Sequence, residues 1–221
     1  MVHDFWRKIQ QLLSGRLVQS LSAQRDGEAI LNEIVGALSR NLGYGPAIFP
    51  RQSKTFHRLA EKAKKLKSEH PDYTAEQTVK EIKDFAGARI LVVTPEEVIL
   101  VDNYICTSVE GRRDCRLAGE ADRYLDNPKK GGWRGLKRIL EIGRDGEDKF
   151  LFELQVMTYL QHTWDQLQHR LYEIARSGHS SDARLGEDFE KLSGKFYEID
   201  KELEDIKIRV TYQPEDKPET S

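Results

Sequence analysis

Residues 152–158 read "FELQVMT", and a period of two sorts them onto two faces. In a strand alternate side chains share a face, so Phe152, Leu154 and Val156 enter a core together while Glu153 and Gln155 stand side by side opposite them. A carboxylate next to an amide there is explained either by solvent over the open face of an antiparallel sheet or by a ligand that needs both groups. Upstream lies a second strand-like run, "GWRGLKRILEIG" (132–143), and Asp145-Gly146 between the two is a hairpin signal. The sheet is built outward from this hairpin.

"GARILVV" (87–93) is short, apolar and β-branched, which predicts a further buried strand. Thr94-Pro95-Glu96-Glu97 opens a helix, with a cap, proline in the first turn and acidic residues suited to the dipole. Before the sheet, Phe5, Ile9, Leu12, Leu13 and Leu17 predict one amphipathic helix. Ile30, Ile34, Leu38 and Leu42 predict a second after Asp26, stopped by Gly43. A Gly/Pro-punctuated stretch (43–54) leads into a short strand, followed by a basic helix from Thr55 to Lys67. Thr74 and Gln77 form a capping box for a helix running towards Lys83. Residues 109–131 read as a polar loop around one short edge strand. Helices are expected over 158–176 and 184–205, an edge strand over 206–212, and a disordered tail from Gln213. The order of elements predicts an α+β fold. It divides into N-terminal helices (1–44), a central domain (45–176), a C-terminal helix with an edge strand (177–212) and the tail (213–221).

With 35 Lys plus Arg against 37 Asp plus Glu, the chain of 221 residues carries a net charge of -2, so no global field draws it to nucleic acid or membrane. The charged N-terminus lacks the apolar core of a signal peptide, and no run approaches the length of a membrane span. Cys106 and Cys115 have no partners at metal-ligand spacing and read as reduced thiols. A cytoplasmic protein is expected.

Four groups of residues could carry chemistry. Asp84 precedes the buried strand that begins at Gly87 and Arg89, and serves either as a turn aspartate or as an acidic ligand. Trp133 and Lys137, alternating along a strand with Gly135, set an indole beside a cation. That suits a nucleobase with phosphates, or else Trp133 is a core residue. If the strands are neighbours, Asp84 and Glu153 converge at one end of the sheet, and two carboxylates completed by water and phosphates suit Mg²⁺. Arg51, Lys54, Arg58 and Lys62 follow at steps of three and four, forming either a solvated basic face or a phosphate-binding stripe.

Taken together, Asp84-x-x-Gly87-x-Arg89, the lysine-glycine-aromatic run, Glu153-x-Gln155-x-x-Thr158 and the following His162-x-Trp164 resemble the RelA/SpoT synthetase domain, which includes the small alarmone synthetases. The resemblance covers roughly residues 45–175. It implies a nucleotidyltransferase-like mixed β-sheet with flanking helices and helical additions at both ends. It also implies transfer of pyrophosphate from ATP to the 3′-hydroxyl of GDP or GTP with Mg²⁺. On this resemblance Asp84 holds the metal, and Glu153 joins the metal site or deprotonates the attacking hydroxyl. Arg89 stacks on adenine, Arg51, Lys54, Arg58 and Lys62 bind ATP, and Lys129, Trp133, Lys137 and Gln155 face the acceptor.

The family pattern is altered in places. Its ATP motif, Arg-x-Lys followed by Ser and Lys at four-residue steps, becomes Gln52, Lys54, Arg58 and Lys62, with the arginine displaced to Arg51. Its acceptor motif, Asn-Gly-Tyr-x-Ser-x-His, becomes Gly131-Gly132-Trp133-Arg134-Gly135-Leu136-Lys137, and Met157 replaces an arginine. Polar contacts give such sites their discrimination, and the asparagine and serine are lost. The expectation is therefore a toxin-like member with an altered acceptor, an adenine nucleotide or the 3′ end of tRNA. Ordinary (p)ppGpp synthesis comes close behind, and an inactive nucleotide-binding module is the third reading. A neutralising antitoxin is a candidate partner on the toxin-like reading, and a homo-oligomer is a candidate assembly on any of them.

Overall fold

A computed structural model describes residues 2–51, 55–83, 85–143, 149–177 and 184–211. The chain runs α1 (Val2–Leu42), β1 (Ala47–Pro50), α2 (Phe56–Glu69), α3 (Ala75–Lys80), β2 (Ala86–Val92) and α4 (Pro95–Val109). It continues through β3 (Cys115–Leu117), β4 (Asp122–Arg123), β5 (Leu136–Ile142), β6 (Phe150–Thr158), α5 (Tyr159–Ser177) and α6 (Leu185–Thr211). The strands form one mixed sheet in the order β1-β2-β6-β5-β3, with β4 beside β5. This is the α+β architecture expected.

The hairpin strands pair antiparallel with Leu136 opposite Val156, Lys137 opposite Gln155 and Ile139 opposite Glu153. The turn signal Asp145-Gly146 lies outside the described residues, as does the tail from Gln213. Phe152, Leu154 and Val156 are buried as the pattern requires, but so are Glu153 and Gln155. Of the two explanations for that pair, solvent over an open face does not hold, because β6 is buried on both faces.

Two further expectations are corrected. The N-terminal region is one helix, because no proline or cap interrupts residues 18–26. Its buried stripe continues through small residues, Ser20, Ala23 and Gly27, between the larger Leu13 and Ile30. A Cβ on Gly27 would stand 2.4 Å from the Phe152 ring, so the glycine admits that ring. Residues 206–211 belong to α6 instead of an edge strand. The alternating Ile206, Ile208 and Val210 are exposed, and Lys207 holds the helix through an ion pair with Glu97 at 2.5 Å.

Other local signals hold. Gly43, at φ 75°, ends α1, Thr55 caps α2, and the Thr74–Gln77 capping box is formed. Glu97 accepts from the backbone N–H groups of Val93 and Thr94 at 2.9 and 3.0 Å, securing the start of α4. The expected loop carries two short strands in place of one. Neither cysteine is in a disulfide, and burial pushes the Cys115 thiol up to about 11. No helix among the described residues is long and apolar enough to cross a membrane.

The chain divides into two compact units. The first comprises the described parts of residues 1–90, Val101–Asp122 and Leu136–Val156. In it α1 packs on α2, α3, β1 and β5, and a buried Arg138–Asp102 pair, at 2.6 and 2.9 Å, ties β5 to α4. The second comprises Leu91–Leu100, Arg123–Gly135 and the described residues from Met157 onward, with α5 packed on α6.

Candidate active site

Glu153 is only 3% exposed, and its carboxylate is fully engaged. Arg51 Nη1 donates to Oε1, Lys137 Nζ lies 2.6 Å from Oε2, and Gln155 Nε2 donates to Oε1 at 2.9 Å. Gln155 Oε1 in turn accepts from Arg89 Nε at 2.9 Å. Each group arrives through the sheet. Lys137 faces Gln155 across the hairpin and so stands diagonally from Glu153, within reach of a long side chain. Arg89 projects from β2, the neighbour of β6. Arg51 follows β1, and its N–H donates to the Gly87 carbonyl at 2.9 Å. The arginine displaced by the altered ATP motif therefore still reaches the cluster.

Gly87 makes the approach possible. A Cβ there would stand 2.3 Å from the Glu153 carbonyl oxygen, a backbone atom with little room to yield. Its peptide groups are held by Gln24 of α1, whose Oε1 accepts from Gly87 N and whose Nε2 donates to Gly87 O, both at 2.8 Å. No motif marks Gln24, because it lies 63 residues from its partner on a helix whose pattern reports only burial.

Arg51 and Lys137 thus contact one carboxylate and Arg89 is tied to it through Gln155, an excess of positive charge suited to a polyphosphate. Among the described residues no group of three or more His, Cys, Asp or Glu side chains could hold a metal. Asp84 and Lys54 lie outside the described residues. Arg58, exposed, and Lys62, half-buried, stand one turn apart on α2.

The remaining acceptor candidates belong to the second unit. Lys129 is exposed, and Trp133 is half-buried with its ring edge-on to Tyr124 at 5.7 Å. Trp133 does not alternate with Lys137 along a strand, as the sequence suggested. Gly131, Gly132 and Gly135 have φ values of 91°, 88° and 145°, which turn the backbone before β5 begins at Leu136. In the same unit Thr158, at the end of β6, donates to Asp200 Oδ2 at 2.7 Å, and Gln161 Nε2 donates to the same oxygen at 3.1 Å. Burial pushes the Asp200 carboxyl up to about 6 against the pull of those two hydrogen bonds.

Residues 51–173 match the family described as a region found in RelA/SpoT proteins. No curated protein sequence matches the chain. Among solved structures it is similar to small alarmone synthetase 1 from Bacillus subtilis bound to its product pppGpp. That likeness has a TM-score of 0.71 and 18% identity over 90% of this chain and 98% of the other. A GTP pyrophosphokinase family protein from Streptococcus pneumoniae gives a TM-score of 0.70 at 18% identity, covering 91% and 98%. Small alarmone synthetase 2 from Bacillus subtilis gives 0.64 at 20% identity, covering 83% and 94%. Identities this low speak for the fold, whereas the family match spans more than half the chain. The chain belongs to the RelA/SpoT family and has the fold of its small alarmone synthetases.

Proposed function

We propose that the protein is a pyrophosphokinase that moves the β,γ-pyrophosphate of ATP to a ribose 3′-hydroxyl. The observation that carries this reading is Glu153, a nearly buried carboxylate held between Arg51 and Lys137. In the reaction the acceptor 3′-oxygen bonds to the β-phosphorus, the bridge to the α-phosphorus breaks, and AMP leaves. Arg51, Arg58, Lys62 and Lys54 neutralise the triphosphate. Arg89, fixed by Gln155, offers its guanidinium plane to adenine. Glu153 Oε1 or Oε2 takes the 3′-hydroxyl proton once substrate phosphates draw a cation away from it. The same carboxylate offers oxygens suited to Mg²⁺, a hard ion that needs few protein ligands, once the substrate phosphates have drawn Arg51 and Lys137 away from it. Glu153 and Asp84 would hold the ion, which supplies neutralisation of charge developing on the phosphates.

For the acceptor we favour an adenine nucleotide or the 3′ end of tRNA over GDP or GTP. Positions 131 and 135, where the family carries polar side chains, are glycines, so no side chain there reads a guanine edge. Exposed Lys64, Lys65, Lys129 and Lys130 favour the RNA arm, whereas Lys67 is already committed. Its ammonium donates to the carbonyls of Pro71 and Tyr73, each at 2.6 Å. A toxin-like role with a neutralising antitoxin goes with either altered acceptor. The test is incubation of purified protein with γ-labelled ATP and, in turn, ADP, ATP, GDP, GTP and bulk tRNA. Label on an adenine nucleotide or tRNA is expected. Label only on GDP or GTP returns the chain to ordinary alarmone synthesis, and label on nothing refutes the reaction.

A further inference from the structure

The turn that carries Lys129 and Trp133 is closed by its own backbone. Lys129 N donates to the Trp133 carbonyl at 3.0 Å and Gly132 N to the Lys129 carbonyl at 2.8 Å. Two consecutive residues at positive φ are a costly arrangement for a loop to hold unaided. Within the second unit, α5 and α6 supply the restraint. Gly131 N donates to Glu190 Oε1 at 2.7 Å, and Gln168 Nε2 donates to the Gly131 carbonyl at 2.8 Å. Ser193 Oγ, wholly buried, donates to the Gly132 carbonyl. A Cβ on Gly132 would lie 2.9 Å from Ser193 Cβ, 3.0 Å from the Trp164 ring and 3.1 Å from Glu190 Cα. Further along, Tyr197 OH donates to Asp126 at 2.7 Å, and the Arg134 guanidinium lies 4.4 Å above the Tyr197 ring while bonding the Leu125 carbonyl.

Glu190, Ser193 and Tyr197 follow at steps of three and four, so one stripe of α6 grips the loop at three points. Both peptide groups of Gly131 are thereby satisfied from outside the loop. The backbone at this position is thus defined without help from a side chain there.

We infer that α6 is the positioning element for acceptor recognition, with Glu190, Ser193 and Tyr197 setting the affinity for the acceptor nucleotide without touching it. This rests on the proposed role of Lys129 and Trp133 in acceptor binding. An element that only stabilised the protein would alter both substrates' KM together or neither. One that shapes the acceptor loop alters the acceptor's alone.

The experiment compares Ser193→Ala, Tyr197→Phe, Glu190→Ala and Glu190→Gln with the wild-type chain, with steady-state kinetics in each substrate and hydrogen exchange across residues 129–135. Loss of one loop hydrogen bond is expected to raise the acceptor KM roughly two- to tenfold. The ATP KM should stay within twofold, and the Gly131 and Gly132 amides should exchange faster. Glu190→Gln keeps an acceptor oxygen for Gly131 N and should restore most of what Glu190→Ala loses. An unchanged acceptor KM despite faster loop exchange, or equal shifts for both substrates, overturns the inference while leaving the proposed reaction standing. A wild-type chain that labels no acceptor overturns both.

Discussion

Replacing Glu153 with Gln tests the site and its energetics together. On strand periodicity alone the change should leave folding untouched, since an open face tolerates a neutral isostere. The ion pairs alter that expectation. Gln keeps the shape and one acceptor oxygen but leaves Arg51 and Lys137, with side chains 22% and 33% exposed, without their counter-charge. Removing one partner of a fully buried pair costs about 3–5 kcal/mol. Here water still reaches both cations, so about 2 kcal/mol is the reasoned figure. Urea denaturation of the variant should show that loss. Adding Lys137→Met to Glu153→Gln removes one uncompensated charge and should recover part of the stability while transfer stays absent. Activity of Glu153→Gln should fall below a tenth of wild type, a barrier increase of more than about 1.4 kcal/mol. An unchanged urea midpoint would refute the electrostatic account. Retention of more than a tenth of the activity would refute the catalytic one.

Asp200→Asn should stabilise the protein at neutral pH. The carboxyl, at about 6 in the folded chain, sits above its ordinary value of 3.8, so its contribution is fully present below about 3.8 and is lost as pH rises through about 6. A gap of this size is worth about 3 kcal/mol. The variant's advantage in urea should therefore appear above pH 6 and vanish near pH 4, and equal effects at both would contradict it. Gly87→Ala should cost about 1–3 kcal/mol and abolish transfer by pushing on the Glu153 backbone, whereas Gly15→Ala, with nothing near its Cβ, should stabilise by about 0.5–1 kcal/mol. Thermal melts of the two side by side would expose a mistaken packing argument if they agreed. Trp133→Phe should keep most activity, while Trp133→Ala should weaken the acceptor by roughly ten- to a hundredfold in KM, one aromatic stack being worth about 1–3 kcal/mol. A collapse in melting temperature for the Ala variant would mark Trp133 as a core residue instead.

What the sequence determined by itself were the features set by short-range physics. Period two located the hairpin strands and marked Phe152, Leu154 and Val156 as core, but not that Glu153 and Gln155 are buried too. The Thr74–Gln77 box and Gly43 marked helix ends, because a cap is satisfied within a few residues of itself. The spaced motifs around Glu153 and Gln155 were enough to identify the family. What only the tertiary structure decided were the long-range partners. Glu153 lies beneath Arg51 and Lys137, Gln24 grips Gly87 across 63 residues, and α6 holds the glycine turn. It also settled residues 206–211, where an alternating Ile-x-Ile-x-Val run is helical, since a strand pattern yields a strand only where a sheet edge stands ready to pair with it. Periodicity reports that a face is covered. The identity of the covering groups depends on which distant segments the chain brings together, and no local spacing encodes that.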